Sequence, residues 1–585
     1  MSLLDTASLI VTPNGYKEGK LYSVIPSDGS GDMSVGRATT ATRVNSAGLV
    51  ELVPYNLVQY SEQFDNAWWL KFQANVTADN TTAPNGTTTA DKVIASTNGA
   101  AVVYRSETYL VSGVYNFSIY AKSGNQDKVY LEAYGVGGTA CSTNINLTTQ
   151  TIISQTNFTN INIENVGNGW FRISATFSNL GGSVVTFGFG MATSVSTNDF
   201  AYFWGGQLVE GSTAKDYQKT ETRLNIPRLD YSNGTCPSLL VEPQRTNLIR
   251  YSEQFDNAAW TKINSTITAN TTTAPNGTLT AETWQGDGTA NVHQLISSTS
   301  TFVLGFTYIY AIYVKKGTNN FIQFLAAGTI GGMFANFDLN TGVVGTLGTV
   351  TGSNPTSDIT SLGDDWYRCS MTFTATSSQT TSISCILTSS SSSVRAESNS
   401  LSTNVFLWGA QLESGSYSTS YIPTTTASVT RNADVISKTG ITSLIGQTEG
   451  TMFCDFWNYG NTLLASNVIS SINAGDYGNG VWIEIYNGQL YGNVFESYAA
   501  QFQPNAGTIS VGRHKAAIAY KANDLVFYVD GIQIATDTSA TVPSCSRVDI
   551  GTVGTSTTPQ ELAVKAAALY KTRLTNAQLA TLTTI

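Results

Sequence analysis

Charge is scarce in this sequence. Asp, Glu, Lys and Arg together make up 12% of 585 residues, about half the ~25% of an average globular chain. Long surface helices carry Glu and Lys pairs on their outer face, so a mainly helical protein is excluded. Basic clusters are missing as well: the net charge is −10 and the densest cationic run is the pair Lys315-Lys316. Nothing here can neutralise a phosphate backbone, which excludes nucleic acid as a partner. No apolar run approaches the ~18 residues of a membrane span, so no membrane insertion is expected. The opening Met1-Ser2-Leu3-Leu4-Asp5 has no basic stretch leading into an apolar one, so no secretory signal is expected and the chain should fold in a cytoplasm. Histidine is nearly absent, with His293 and His514 alone. Six cysteines, at 141, 236, 369, 385, 454 and 545, show neither CxxC spacing nor His partners, which excludes zinc. Free core thiols are expected in that compartment. The one pair that could meet across two strands is Cys369 and Cys385.

Thr, Ser, Asn and Gly fill the place of the missing charge, with 52 Gly. Thr and the aromatics, 11% of the chain, favour strands, while Asn and Gly favour turns. The length exceeds the ~250–300 residues at which single cores stop growing, so several all-β domains are expected. An internal repeat divides them. Residues 56–66, NLVQYSEQFDN, return as NLIRYSEQFDN at 247–257, and TTAPNGT at 81–87 returns at 272–278. Asp91 answers Glu282. Downstream, Trp170 answers Trp366, and the phrase Trp204-Gly205-Gly206-Gln207-Leu208 answers Trp408-Gly409-Ala410-Gln411-Leu412. The offset grows along the copy, as insertions into loops such as the serine run 389–393 would produce. A period this long marks duplicated domains rather than stacked solenoid units. Alternating stretches such as 115–121 and 171–177 read as strands, which predicts a jelly-roll sandwich in each copy. The Trp residues kept in both copies are expected in the cores.

The third module runs from 446 to 585. Residues 451–456 read as its opening strand. Val481, Ile483 and Ile485 share one strand face, Asn487-Gly488 and Asp530-Gly531 read as hairpin turns, and Thr575 reads as the N-cap of a short closing helix. The predicted organisation is therefore residues 1–55 as an attachment arm and connector, 56–220 as the first jelly roll, 221–246 as a connector, 247–425 as the second jelly roll, 426–445 as a connector and 446–585 as the last module. Residues 1–36 hold too little apolar content for a core of their own, so they are expected to order on a partner. Each connector carries Arg among small polar residues and should lie extended against a neighbouring domain.

The strand ending Tyr528-Val529-Asp530-Gly531, the strand led by His514 and the closing stretch from Ala568 to Thr575 resemble the laminin-G-like, concanavalin A-like sandwich. The phrases RATTATRVN, NLVQYSEQFDNAWW, LLVEPQRTNLI and TRNADVISKTGITSLIGQTEG resemble surface-fibre and receptor-binding proteins of tailed bacteriophages, those of crAss-like and other Bacteroidetes phages above all. What the likeness implies is a head fibre or other virion fibre, sited on the capsid or tail surface, joined to other virion proteins through the N-terminal arm, assembled as a homotrimer and adhering to host surface polysaccharide. A fibre-borne polysaccharide depolymerase and a decoration without ligand remain alternatives. The fold expected on these grounds is all-β: tandem jelly-roll β-sandwiches plus a C-terminal concanavalin A-like sandwich.

No catalytic residues stand out. Both histidines read as structural, and no GxSxG elbow accompanies them. Glycosidase chemistry needs two carboxylates at a set spacing, which sequence alone does not reveal. Trp482, Glu484 and Tyr486 share a strand face that could stack on a sugar ring; a strand facing another domain is the commoner reason for such a face. No organic cofactor is implied. Glu62, Asp65 and Asn66 recur as Glu253, Asp256 and Asn257, a set of hard oxygen ligands that would suit Ca2+, although a turn capped by Asp outweighs that reading.

Overall fold

The computed structural model describes residues 3–107, 113–134, 140–179, 184–348, 352–460, 466–555 and 560–585. Among the described residues, helix is confined to Leu3–Thr6, a 3-10 turn at Gly328–Ile330 and the closing Asn576–Thr583; the other regular elements are strands, joined by turns and loops. The protein is all-β, with tandem jelly-roll sandwiches and a concanavalin A-like sandwich. It forms two compact units, one of Val53–Arg223 with Gly277–Thr280, the other of Met1–Leu52, Leu224–Asn276 and Ala281–Ile585.

The first unit is one jelly roll of two six-stranded sheets. One sheet runs in the order Thr159–Gly167, Trp170–Asn179, Gly113–Ser123, Phe200–Glu210, Ala90–Ala95, Ala74–Thr81. The other runs Thr151–Thr156, Ala140–Asn146, Lys128–Tyr134, Val185–Val195, Gly99–Glu107, Leu70–Phe72. The second copy repeats both orders strand for strand: Thr356–Gly363, Trp366–Thr374, Thr307–Lys316, Asn404–Ser414, Ala281–Gly286, Ser265–Thr272, and Val343–Gly348, Phe334–Asp338, Phe321–Ala326, Ile383–Leu387, His293–Ile296, Thr261–Ile263.

The repeated phrases have physical reasons. Trp69 and Trp260 are each 1% exposed, and their indole nitrogens donate to the carbonyls of Tyr60 and Tyr251, at 3.0 Å in both copies. Gly205 and Gly409 sit in the left-handed region, at φ +65° and +62°, at a break in strand register. A Cβ there would meet the rings of Tyr120 and Tyr313 at 2.9 and 2.8 Å, so only glycine fits. The Gln two residues on is buried and clamps the exit loop. Gln207 donates to the Lys215 carbonyl at 2.9 Å and accepts from the Gln218 N–H at 2.9 Å, and Gln411 accepts from the Ile422 N–H at 2.7 Å.

The copies differ at one buried acid. Asp91 accepts the N–H groups of Phe64 and Asp79 at 2.7 and 3.0 Å, and burial pushes its carboxyl up to about 6. Glu282 holds the same place and accepts the Asp256 N–H at 2.9 Å. Burial, followed by the charge of Asp256, pushes it up to about 8. A carboxyl raised on folding contributes stability below its unfolded value, near ~4.3, and loses it as pH climbs through the folded value. The second module should therefore weaken between pH 5 and about 8, and the first between pH 4 and about 6. Glu282→Gln should flatten the second module's pH profile and raise its stability at pH 8 by on the order of a few kcal/mol, read as the denaturant midpoint against pH.

The last sandwich draws on more of the chain than residues 446–585. Its Asn487-Gly488 and Asp530-Gly531 turns close two-residue hairpins, with Tyr486 opposite Gln489 and Val529 opposite Ile532. Thr575 caps the closing helix in a reciprocal box with Gln578. Of residues 1–36, expected as an arm that orders on a partner, the strands from Leu9 to Gly36 are instead woven into this sandwich. Leu9–Lys17 pairs with Leu562–Tyr570, placing Leu9 opposite Leu569. It turns into Lys20–Ile25 and then Met33–Gly36, where Val35 stands opposite Ile436 of Val435–Thr439. The segment thus links Leu562–Tyr570 to Val435–Thr439 within one hydrogen-bonded sheet that closes on itself. Leu9, Val11, Leu21, Met33 and Val35 are at most 5% exposed in the common core. They are too few to fold alone, but enough to complete a neighbour's core. The connectors add Leu229, Leu239, Val241, Ile436, Ile441 and Ile445 to the same core.

The three connectors meet at a buried ionic hub. Arg37 binds Asp434 at 2.6 Å, Arg228 binds Glu242 at 2.6 Å and also Asp434, and Arg431 binds Glu242 at 2.6 Å. All five side chains are at most 2% exposed. Burial alone would push the Glu242 carboxyl up, but the Arg431 and Arg228 guanidiniums and two hydrogen bonds from Ser420 outweigh it and hold it well below the usual carboxylate range. Asp434 is held low in the same way by Arg228 and Arg37.

Candidate functional site

Beside the hub, the second unit holds a cleft of about 720 Å3, within the ~300–1,000 Å3 of small-ligand sites. Four parts of the chain build it. The hairpin of Ala41–Val44 and Val50–Val53 supplies Thr42, Arg43 and Val50; the connector supplies Asp230, Tyr231 and Asn233; the outer sheet of the second jelly roll supplies Thr356, Asp358, Thr360, Arg368 and Thr372; the last sandwich supplies Trp457, Tyr459 and Glu561.

Two arginines line it. Arg43 pairs with Glu51 at 3.1 Å. Arg368 donates to the Thr419 carbonyl at 2.6 Å and lies 5.4 Å over the Tyr313 ring. Asp230 accepts the N–H groups of Val44 and Ser232 at 2.7 and 2.9 Å. Asp358 is exposed and accepts the Thr360 hydroxyl at 2.8 Å. What faces the opening is hydroxyl groups, amides and phenols. Asn233 donates to the Tyr459 hydroxyl at 2.8 Å, and the Tyr417 hydroxyl donates to Gln560 at 3.1 Å. Burial pushes both phenols above their ordinary range, so they stay neutral. Such a wall offers flat aromatic surface and many donors and acceptors.

The strand face named from the sequence is built differently from that expectation. Trp482 is 3% exposed, packed against the Tyr477 ring at 5.5 Å and the Phe495 ring at 4.9 Å. Neither face of its indole is open for stacking. Glu484 is bound by the Ser466 hydroxyl and by the Asn493 amide at 3.0 Å. Tyr486 alone is open, 46% exposed, with Tyr491 edge-on at 6.4 Å. None of the three lines the cleft. Alternation placed them on the outer face correctly, as Val481, Ile483 and Ile485 fill the core; it carried no information about the side chains that cover Trp482.

The oxygen-rich turn at each module entry already holds a cation. The Lys71 ammonium donates to the carbonyls of Asp65, Asn66 and Trp69 at 3.0, 2.7 and 2.8 Å. Lys262 does the same to Asp256 and Asn257 at 2.8 and 2.7 Å. Asn66 and Asn257 cap the following turn, accepting from Trp68 and Ala259 at 2.9 Å. Glu62 binds Lys219 at 2.9 Å and Glu253 accepts the Tyr421 hydroxyl at 3.0 Å. Among the described residues no three His, Cys, Asp or Glu gather as a metal site.

Both histidines are tied down. His293 is buried, its ring nitrogens at 2.7 and 3.2 Å from the carbonyls of Asn264 and Asn399. His514 has a triad-like setting missed from the sequence: Nδ1 lies 2.6 Å from Asp530 and Nε2 lies 3.4 Å from the Ser510 hydroxyl. Yet Nε2 is closer, at 2.9 Å, to the carbonyl of Ser510. A carbonyl only accepts, so Nε2 is engaged by the Ser510 backbone in competition with the hydroxyl. The arrangement pins the turn before the strand to the Asp530-Gly531 hairpin. Cys369 and Cys385 are free and buried in opposite sheets of the second module; burial pushes the Cys385 thiol up to about 12 and Cys369 higher than usual, which leaves both unreactive.

No family model and no curated protein matches the chain. Among solved structures, it is similar to a Ruminococcus gnavus IT-sialidase CBM40 bound to alpha2,3 sialyllactose, at 17% identity and TM-score 0.21 over 24% of this chain and 84% of that one. It is also similar to the tandem CBM22 domains of Paenibacillus barcinonensis Xyn10C, at 10% identity and TM-score 0.20 over 62% and 98%. Domains LG4-5 of the mouse laminin alpha1 chain give 11% identity and TM-score 0.17 over 49% and 87%.

Proposed function

We propose that the chain is a non-catalytic adhesive component of a bacteriophage virion, a head or tail fibre, that holds a neutral host-surface glycan in the cleft beside the hub. The observation that carries the binding half is the cleft wall itself: Tyr231, Trp457 and Tyr459 among Ser and Thr hydroxyls, with Arg43 paired to Glu51. Aromatic rings stack on the apolar face of a sugar ring, and hydroxyl groups satisfy its periphery. The virion half rests on the resemblance of the repeated and connector phrases to those of phage fibres. Homotrimers would multiply a weak single-site affinity through avidity.

The test is a panel of neutral and acidic polysaccharides titrated against the full chain. Binding to neutral glycans is expected, weakened about tenfold by Tyr231→Ala or Trp457→Ala, since a lost stacking contact costs ~1 kcal/mol or more. Ser510→Ala should leave binding unchanged. Appearance of new reducing ends would favour a depolymerase instead, and a flat response across the panel would leave a decoration without ligand.

A further inference from the structure

We propose that the outer aromatic face of the first module is a docking surface for a β-hairpin from a partner protein, because its duplicate in the second module already holds one. The two faces superpose in chemistry. Tyr120, Trp204 and Tyr217 meet at ring distances of 5.2, 5.9 and 4.6 Å, and Tyr313, Trp408 and Tyr421 at 5.2, 5.9 and 4.7 Å. Arg172 lies 5.5 Å over Tyr120 as Arg368 lies 5.4 Å over Tyr313.

In the second module the face is covered. The hairpin of Ala41–Val44 and Val50–Val53 lays Val50 into the aromatic cluster. The Val50 N–H donates to the Pro275 carbonyl at 2.9 Å, and the Thr42 hydroxyl donates to the Tyr421 carbonyl at 2.5 Å. Tyr313 and Tyr421 are thereby 4% and 2% exposed. In the first module the same cluster lacks a counterpart of Val50, and Tyr120 and Tyr217 are only half-buried. The carbonyls of Pro84 and Tyr217, which answer Pro275 and Tyr421, accept no hydrogen bond among the described residues. The face therefore keeps two aligned acceptors and an open aromatic socket, the complement of a strand bearing a β-branched side chain and a free N–H beside a second strand bearing a hydroxyl. Strand addition of this kind joins backbone hydrogen bonds to a side-chain pocket. The chain's own hairpin is consumed in its second module, with Arg43 paired to Glu51 inside it, so a second copy has none to offer and the occupant comes from a different protein. This surface is independent of the glycan cleft.

The test uses a synthetic peptide of residues 37–53 as probe, titrated against the full chain with hydrogen exchange as the map. Saturable binding is expected, with protection confined to residues 83–87 and 215–217. Val50→Ala in the peptide should weaken it about tenfold, as two buried methyl groups are lost. Tyr120→Ala in the protein should do the same, with unchanged hydrogen exchange in the rest of the module showing that it stays folded. No saturation at millimolar peptide, or protection elsewhere, would overturn the proposal. So would concentration-dependent self-association that protects this face without peptide, or a glycan that protects it in the peptide's place.

Discussion

Residues 446–585 expressed alone are expected to stay unfolded, although they span every strand the sequence assigns to the last module. The core they would need includes Leu9, Val11, Leu21, Met33 and Val35 from the N-terminus and Leu229, Leu239, Val241 and Ile436 from two connectors. A buried Val, Leu, Ile or Met side chain stabilises by ~1.5–3 kcal/mol. Losing five of them equals the whole ~5–15 kcal/mol of a typical domain. The strand Leu562–Tyr570 would also lose its pairings with Leu9–Lys17 and Ser238–Val241, leaving an apolar edge open to aggregation. Circular dichroism and a thermal melt decide the matter. A disordered spectrum without a cooperative transition is expected; a cooperative melt near that of the full chain would contradict the shared core. Deleting residues 1–36 from the full chain should remove the last sandwich's transition and spare that of Val53–Arg223.

Arg228→Met should have the next largest effect. Arg228 bridges Glu242 and Asp434 with no solvent access, and removing one partner of a buried ion network costs ~3–5 kcal/mol because the remaining charges stay unpaired. Denaturant unfolding of the full chain should show the unit that contains the hub losing that amount while the first jelly roll's transition stays put. The pH dependence follows from the depressed carboxyls. Their contribution is complete above the unfolded value near ~4 and is lost only as pH falls through the lower folded values, so the native hub should survive mild acid. In Arg228→Met, Glu242 and Asp434 each lose one of the cations that hold them low, and acid unfolding should move to higher pH. An unchanged acid midpoint would contradict the hub's role.

Much of this architecture was legible because duplication acts as an internal control. The paired Trp residues, the glycine of the Trp-Gly-X-Gln-Leu exit and its Gln recur because packing, a left-handed backbone and a buried clamp require them. The Asn487-Gly488 and Asp530-Gly531 turns and the Thr575 cap were legible because local chemistry sets them. The N-terminal segment was misread because a strand that completes another module's core looks locally like a weakly apolar arm. The hub and the cleft stayed hidden for a related reason. Arg37, Arg228 and Arg431 each stand alone among small polar residues, and only the tertiary fold brings them to one point. The cleft likewise joins Tyr231, Thr360 and Trp457 from far-apart stretches, whereas Trp482, Glu484 and Tyr486 drew notice by lying together on one strand.

The most direct test of the binding reading is a hydrogen-exchange footprint of the full chain with the best neutral glycan of the panel, read beside its binding isotherm. Protection at 230–233, 356–361 and 457–459, lost with affinity in Tyr231→Ala, is the expected result. Protection centred on 482–491, or binding that Tyr231→Ala and Trp457→Ala leave intact, would contradict it.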